Sequence, residues 1–316
     1  MALFQCSKKS DPAPSPGPSA FHGVRVYIIS MNDVHEYSGK LAQFQTLEKK
    51  ICDTAAHVYT VMAGDFFMVH HSYNVNRCDQ QTDYGVLPDL KVPKDSSQLT
   101  VGLAMARMIE YLDFDAIVPG NHDWTYGIAM LQRPALIQKL IGCNISQPSG
   151  LTADYLSFTS GSGHYTLNLI GVAGNDNIHT KTGESVIIHP VTTTTSVNKI
   201  KSAIATGNMN VLVTHLTNAD DQSAFTNICT GQGVPLFDGL CGGHTHNSEA
   251  KLESGAGYVK AGLYDTYAGL TCLWWDTVKQ QVVRRTTQLV CLGDFNPDPG
   301  TVALIDSLHL VYPHYP

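Results

Sequence analysis

The residues with the clearest chemical potential fall in five short blocks: Asn32-Asp33-Val34-His35, Gly64-Asp65, Gly120-Asn121-His122-Asp123, Thr214-His215 and Gly242-Gly243-His244-Thr245-His246. They offer imidazole nitrogens, carboxylates and a carboxamide, the mixed donors that divalent transition ions accept. Any one block, taken alone, reads as a turn or a helix cap, because Gly, Asn and Asp favour those positions. Five in order are harder to explain that way, and together they describe a centre for two metal ions. Such a centre suits the hydrolysis of a phosphate ester. The ester's negative charge must be neutralised and a water made nucleophilic, and two ions ~3.5–4 Å apart do both. Asp-x-His on an extended strand end is expected to place both side chains on one face, and His244 and His246 share that spacing. Glycines at 64, 120, 242 and 243 let the backbone turn sharply and come close to the ions.

The elements that must hold these blocks can be read from the apolar pattern. Short β-rich runs are expected at 24–30, 58–63, 116–119, 165–173 and 211–214, with further strands at 236–241, 258–263, 270–275 and 282–290; those at 24–30, 58–63, 116–119, 211–214 and 236–241 lead into the five blocks. Leu41, Phe44, Leu47 and Ile51 recur at helical spacing, as do Leu103, Ala106, Ile109 and Leu112 behind a cap at Ser96 or Ser97. Two more helices are expected at 128–141 and about 196–205. Alternating strands and helices predict an α/β fold. Each block then sits at the carboxyl end of a strand, where α/β sheets place their ligands. The stretch 66–98 is long and irregular, with Gly85, Pro88 and Pro93, and starts one residue after Asp65. A loop of that length is expected to shape the pocket.

Bulk properties narrow the partners. A net charge of −7 over 316 residues argues against a nucleic-acid duplex or an anionic membrane surface as partner. No apolar run reaches the ~18 residues of a membrane span. Residues 1–23, with four prolines between 11 and 18, read as an extended arm without the apolar core of a signal peptide. The remainder, 24–316, reads as one catalytic domain. If Met1 is the natural start, a cytoplasmic location is expected; otherwise the compartment is open, secretion included. Among eight cysteines there is no CxxC pair. Cys143, Cys241 and Cys272 lie in or beside apolar segments and read as buried thiols, while Cys52, Cys78 and Cys229 leave a disulfide open. Of Trp274 and Trp275, adjacent on a strand, one is expected in the core and the other at the surface.

The ordered set DxH, GD, GNH, TH and GGHTH resembles the calcineurin-like metallophosphoesterases, and within them the 5′-nucleotidase branch. "YLDFDAIVPGNHD" ending at Asp123, "GCNIS" from Gly142 and "YVKAGLYDTYAGL" from Tyr258 are similar to segments of that branch. The likeness therefore covers nearly all of residues 24–290. It implies a four-layer α/β/β/α sandwich of two mixed sheets. It also implies that Asp33, His35 and His246 bind one ion, that Asn121, His215 and His244 bind the other, and that Asp65 bridges. His122 would contact the phosphate and protonate the leaving oxygen or stabilise its charge. Asn144 is a substrate-pocket candidate, with pairing to backbone as the other reading. The ions implied are Mn, Zn, Fe, Co or Mg.

Departures from the family pattern bound the function. Where 5′-nucleotidases commonly pair the GNH histidine with an aspartate three residues later, this chain has Thr125; Asp123 is then the remaining candidate to orient His122. The chain ends at Pro316, without the C-terminal domain that supplies a nucleoside clamp and phosphate-binding arginines in 5′-nucleotidases. His70, His71, Tyr73 and Arg77 of the long loop are candidate substitutes. Phe66 and Phe67 follow Asp65 where protein phosphatases continue with Asp-Arg-Gly, which argues against that branch. The expected activity is two-metal hydrolysis of a nucleotide or similar small phosphate. A cyclic-nucleotide or other phosphodiesterase is the alternative, and a non-catalytic metal-binding scaffold the alternative of another class.

Overall fold

The computed structural model describes residues 22–67, 97–180 and 183–311. Nearly all of the arm, residues 68–96 with His70, His71, Tyr73 and Arg77, and the Ser96 cap lie outside the described residues. In chain order the elements are β1 (Gly23–Met31), α1 (Leu41–Cys52), β2 (Val58–Ala63), α2 (Ser97–Leu112), β3 (Ala116–Val118), α3 (Ile128–Leu131), α4 (Pro134–Ile137), β4 (Ile145–Gln147), β5 (Tyr155–Thr159), β6 (Thr166–Ala173), β7 (Ile187–Ile188), α5 (Thr194–Ala203), β8 (Met209–His215), α6 (Asn218–Asn227), β9 (Gly239–Gly242), β10 (Ser248–Glu253), β11 (Ala256–Ala261), β12 (Tyr267–Asp276), β13 (Gln281–Cys291) and α7 (Pro299–Val311).

The strands form a five-stranded sheet, β13-β12-β1-β2-β3, and a six-stranded sheet, β10-β11-β9-β8-β6-β5, beside a small β4-β7 pair. Both large sheets are mixed. In the first, β1, β2 and β3 run parallel while β12 and β13 are antiparallel. In the second, β6, β8, β9 and β11 run parallel between antiparallel edges. The sheets meet face to face, β2 against β8, β3 against β6 and β11 against β12. Side-chain alternation assigns the faces. Leu169, Val211 and Val213 join the core between the sheets, while Ile170 and Leu212 turn outward to pack with Ile200 of α5 and Phe225 of α6. On the far side α1 lies on β2 and against α7. Central strands covered on both faces carry continuous apolar runs, which is why they stand out in the sequence.

The expected helix at 128–141 is interrupted. Pro134 begins α4 and Arg133 before it is extended at ψ 136°, since a residue preceding proline is driven out of helical backbone. The strand expected from 236 begins at Gly239. Trp275 is buried and Trp274 half-buried beneath Arg284, whose guanidinium carbon sits 4.6 Å from the ring centroid. The six described cysteines are free. Among the described residues, no helix is long and apolar enough to cross a membrane.

Candidate metal centre

The five blocks converge where the carboxyl ends of β1, β2, β3, β8 and β9 meet. They do so through a backbone unlike the extended one expected from the sequence. Asp33 (φ 50°), His35 (φ 50°), Asp65 (φ 55°), His244 (φ 77°) and His246 (φ 59°) all lie in the left-handed region. That conformation costs an L-residue about 1–2 kcal/mol and gathers at functional sites. The loops lock one another in it: Asp33 N–H donates to Gly64 O, His35 N–H to Asp65 O and Glu36 N–H to Phe66 O. Crowding explains the glycines. A Cβ on Gly120 would overlap Asp65 Oδ1, and one on Gly243 would overlap the Ala63 carbonyl.

Two ligand groups result. In the first, Asp33, His35 and His246 turn inward: Nε2 of His35 lies 3.1 Å from Nε2 of His246, and Asp33 Oδ1 lies 3.7 and 3.5 Å from them. In the second, Asp65, His215 and His244 gather with Asn121. Asn121 Oδ1 is 3.2 Å from His215 Nε2 and 3.0 Å from His244 Nδ1. Asp65 Oδ2 faces both groups, 3.2 Å from His215 Nε2 and 3.9 Å from His35 Nε2. Its Oδ1 accepts the His122 N–H at 2.9 Å.

The electrostatics fit a cation. Burial, aided by neighbouring imidazoles and opposed by Asp65, pushes His35 down to about 3; the same influences lower the more exposed His246, so both present lone pairs. Burial, then Asp65, push Asp33 up to about 7. Burial opposes a charge on His215 too, but Asp65 and Asp33 prevail and raise it to about 10. Buried carboxylates that draw a proton onto an imidazole also favour a metal ion between them. The converging Nε2 atoms of His35 and His246, 3.1 Å apart, fit the same conclusion.

The block residues are held from behind. Asn32 Nδ2 donates to Asp33 Oδ2 (2.6 Å) and Gly262 O (2.7 Å). Asp123 departs from expectation. Its carboxylate accepts N–H groups of Asp65 (2.9 Å), Phe67 (2.8 Å) and Gly120 (2.7 Å), which ties two ligand loops together and leaves it no bond to His122. Asn144 is likewise engaged with backbone: Nδ2 donates to Ala173 O and His189 O, and Oδ1 accepts the Ala173 N–H, at 2.7–2.9 Å. That favours its backbone-pairing reading.

His122 is half-buried, its ring edge-on to His35 (centroids 5.3 Å) and stacked on His179 (4.3 Å, 13°). Thr125 Oγ1 donates to the His179 carbonyl at 3.4 Å. Among the described residues, no carboxylate bonds to the His122 ring. In the sequence His179 matches no motif and reads as a structural or surface histidine. Asp176, whose Oδ2 lies 2.9 Å from His244 Nε2, is missed there as well. A signal for it exists. Gly174-Asn175-Asp176-Asn177 follows the strand ending at Ala173 just as the other blocks follow theirs.

Lys260 on β11 is likewise missed by sequence reasoning. Its ammonium is fully buried, 2.8 Å from Asp221 Oδ2, and donates to Leu216 O (2.9 Å), Asn218 Oδ1 (3.0 Å) and Thr245 Oγ1 (3.1 Å). Asp221 Oδ1 accepts the Thr214 hydroxyl at 2.8 Å. One ion pair thus joins the loop of His215 to the loop of His244 and His246.

Comparison with known proteins bears on this geometry. The profile of the family described as "Calcineurin-like phosphoesterase" matches residues 26–248. No curated protein sequence matches the chain significantly. Among solved structures, the chain is similar to calcineurin-like phosphoesterase YfkN from Bacillus subtilis, with TM-score 0.65 and 16% identity, covering 93% of this chain and 99% of that one. It is similar to a 5′-nucleotidase precursor from Thermus thermophilus (TM-score 0.62, 16% identity, 91% of this chain). A 5′-nucleotidase from Candida albicans is also similar (TM-score 0.60, 14% identity, 93% of this chain). The chain spans only 59% and 58% of those two nucleotidases. At such identities these likenesses speak to the fold.

Proposed function

The chain belongs to the calcineurin-like phosphoesterase family and is a metal-dependent phosphoesterase; from that premise we propose that it hydrolyses a nucleotide or similar small phosphate at two divalent ions. The observation that carries the reading is the pair of ligand groups that share Asp65. Asp33, His35 and His246 would hold one ion, Asn121, His215 and His244 the other, with Asp65 bridging. When bound, such a pair offsets phosphate charge and makes a water acidic enough to attack phosphorus. Zn, Mn, Fe and Co fit this mixture of imidazole, carboxylate and carboxamide donors; Mg, which prefers oxygen ligands, fits it less well.

The chain's own residues supply the rest. His122 stands beside the first ligand group, fixed through its N–H on Asp65 Oδ1. From there its ring would reach the leaving oxygen and protonate it or stabilise its charge. Burial lowers its pKa, so the neutral form, a hydrogen-bond donor, prevails near neutral pH. With Thr125 bonded to the His179 carbonyl, no carboxylate among the described residues hydrogen-bonds to the His122 ring, and only the nearby Asp65 charge acts against the effect of burial. That observation favours a second reading, a phosphodiesterase.

Elemental analysis of the purified protein, then hydrolysis of p-nitrophenyl phosphate and its bis-ester with the ions found, tests the proposal. Turnover is expected; metal bound without turnover of either ester would refute it. A nucleoside monophosphate compared with a 2′,3′-cyclic nucleotide separates the two readings.

A further inference from the structure

The loop after β6, residues 174–179, touches the second ligand group at three points. Asp176 Oδ2 lies 2.9 Å from His244 Nε2, while Nδ1 on the opposite side of that ring lies 3.0 Å from Asn121 Oδ1. Asn121 Nδ2 donates to the Asn177 carbonyl at 3.2 Å, and the His179 N–H donates to the Asn121 carbonyl at 2.9 Å.

These contacts decide which atoms face an ion. A carboxylate only accepts hydrogen bonds, so a neutral His244 must carry its hydrogen on Nε2, toward Asp176. Nδ1 is then left with its lone pair directed into the cluster of Asp65 and His215. The Asn177 carbonyl does the same for Asn121: it accepts from the amide NH2, which leaves Oδ1 inward. His215 has an equivalent support, since its Nδ1 donates to the Ala63 carbonyl at 2.8 Å and Nε2 faces Asp65. The first ligand group differs. His35 Nδ1 is buried and has no hydrogen-bond partner among the described residues.

We propose that Asp176 is a positioning residue for the second ion site, fixing His244 so that Nδ1 is the ligand atom, and that this site consequently holds its ion more tightly than the site of Asp33, His35 and His246. The inference rests on the two-ion reading. An outer acceptor on a ligating imidazole sets its tautomer and ring orientation and raises its basicity, and losing it weakens metal binding ~10–100-fold. With outer support on His215 and His244 and none on His35 Nδ1, the two sites should fill in order.

The test is a Mn2+ titration of the metal-free full chain, followed by the electron paramagnetic resonance of free Mn2+. The wild type is expected to bind two ions, one more tightly. Asp176→Ala is expected to weaken the tighter ion ~10–100-fold, leaving the weaker one within about twofold. Asp176→Asn, whose carbonyl oxygen can still accept from Nε2, should recover most of the loss. Circular dichroism of each metal-free variant separates loss of the fold from loss of the site. Two ions bound by Asp176→Ala with wild-type affinities would overturn the inference. Fewer than two ions bound by the wild type would instead overturn the two-ion reading.

Discussion

Replacing Lys260 with methionine tests whether the ion pair behind the two histidine loops is structurally required. Lys260 and Asp221 are both buried, at 0% and 1% exposure. Methionine fills similar volume, so the perturbation is chiefly the lost ammonium. Asn218 Oδ1 and Thr245 Oγ1 keep their mutual bond of 2.9 Å, so the groups left stranded are the Leu216 carbonyl and, at greater cost, the Asp221 carboxylate. The carboxylate retains the Thr214 hydroxyl at 2.8 Å and the Tyr258 hydroxyl at 3.3 Å, two neutral donors in place of a cation. Removing one partner of a buried pair costs about 3–5 kcal/mol. For a domain of this size that lowers the melting midpoint by roughly 5–10 °C.

The pH dependence gives a sharper signature. Burial already raises Asp221 above the ordinary carboxylate value, and Lys260 pulls it back. Without the ammonium the folded-state pKa rises further. A carboxyl whose folded pKa exceeds its unfolded value of ~3.9 stabilises the fold below that value and loses the contribution as pH rises through the folded pKa. The deficit of Lys260→Met should therefore be larger at pH 8 than at pH 5. Adding Asp221→Asn, which removes the buried charge, should close most of it. Urea and thermal unfolding of the metal-free proteins at both pH values measure this. A single variant melting within about 1 °C of wild type at pH 8, or a pH-independent deficit, would refute the reasoning.

Other outcomes follow from the same geometry. Gly120→Ala places a methyl against Asp65 Oδ1 and the Asp65 backbone nitrogen, neither of which can yield without moving a ligand. Metal content should fall and ester hydrolysis drop about 100-fold, the usual effect of a ~1 Å misplacement. His122→Ala should lower kcat about 10²–10⁴-fold while elemental analysis still finds both ions, because His122 acts on the leaving group. Chelation should lower the melting midpoint, and returning Mn2+ should restore it in a concentration-dependent way, by ~2.7 kcal/mol at a hundredfold excess over Kd. A melt unchanged by chelator, with metal removal verified, would count against folded-state ion binding.

The candidate ligand cluster was legible because its members are hydrophilic residues at the ends of apolar strands, and turn or cap roles do not account for five such blocks in order. Strands β1, β2, β6 and β8 were legible for a related reason, as buried apolar runs. Less visible were elements that lack an apolar stripe. Helix α6, Asn218-Ala-Asp-Asp-Gln-Ser-Ala-Phe-Thr-Asn227, is polar on most sides and rests on the Thr217 cap, whose hydroxyl accepts the Asp220 N–H. The supporting residues were hidden for a different reason. Asp123 sits beside His122 in a motif, and adjacency suggests a partnership that backbone geometry denies. Lys260 lies inside the strand run Tyr-Val-Lys-Ala, where a lone lysine reads as a solvent-facing position. Only its contacts, across more than forty residues to Leu216 and Asn218, reveal an interior cation.

The left-handed backbone then becomes part of the argument about function. The five ligand-bearing residues with positive φ each oppose folding by about 1–2 kcal/mol. No single contact offsets that. Asp33 and His35 hold their shape through the carbonyls of Gly64 and Asp65, Asp65 through the Asp123 carboxylate, and His244 through its N–H on the Asp33 carboxylate at 2.9–3.1 Å. Each loop is thus the template for the next, and the ligand residues are themselves among the tethers. The Asp33 carboxylate both faces the first ion site and anchors the loop of the second. Asp33→Ala should accordingly impair both ions rather than one, whereas His246→Ala, whose half-exposed ring anchors no neighbouring backbone, should impair only the first. Equal, single-ion losses in the two variants would mean that the loops hold their shape independently.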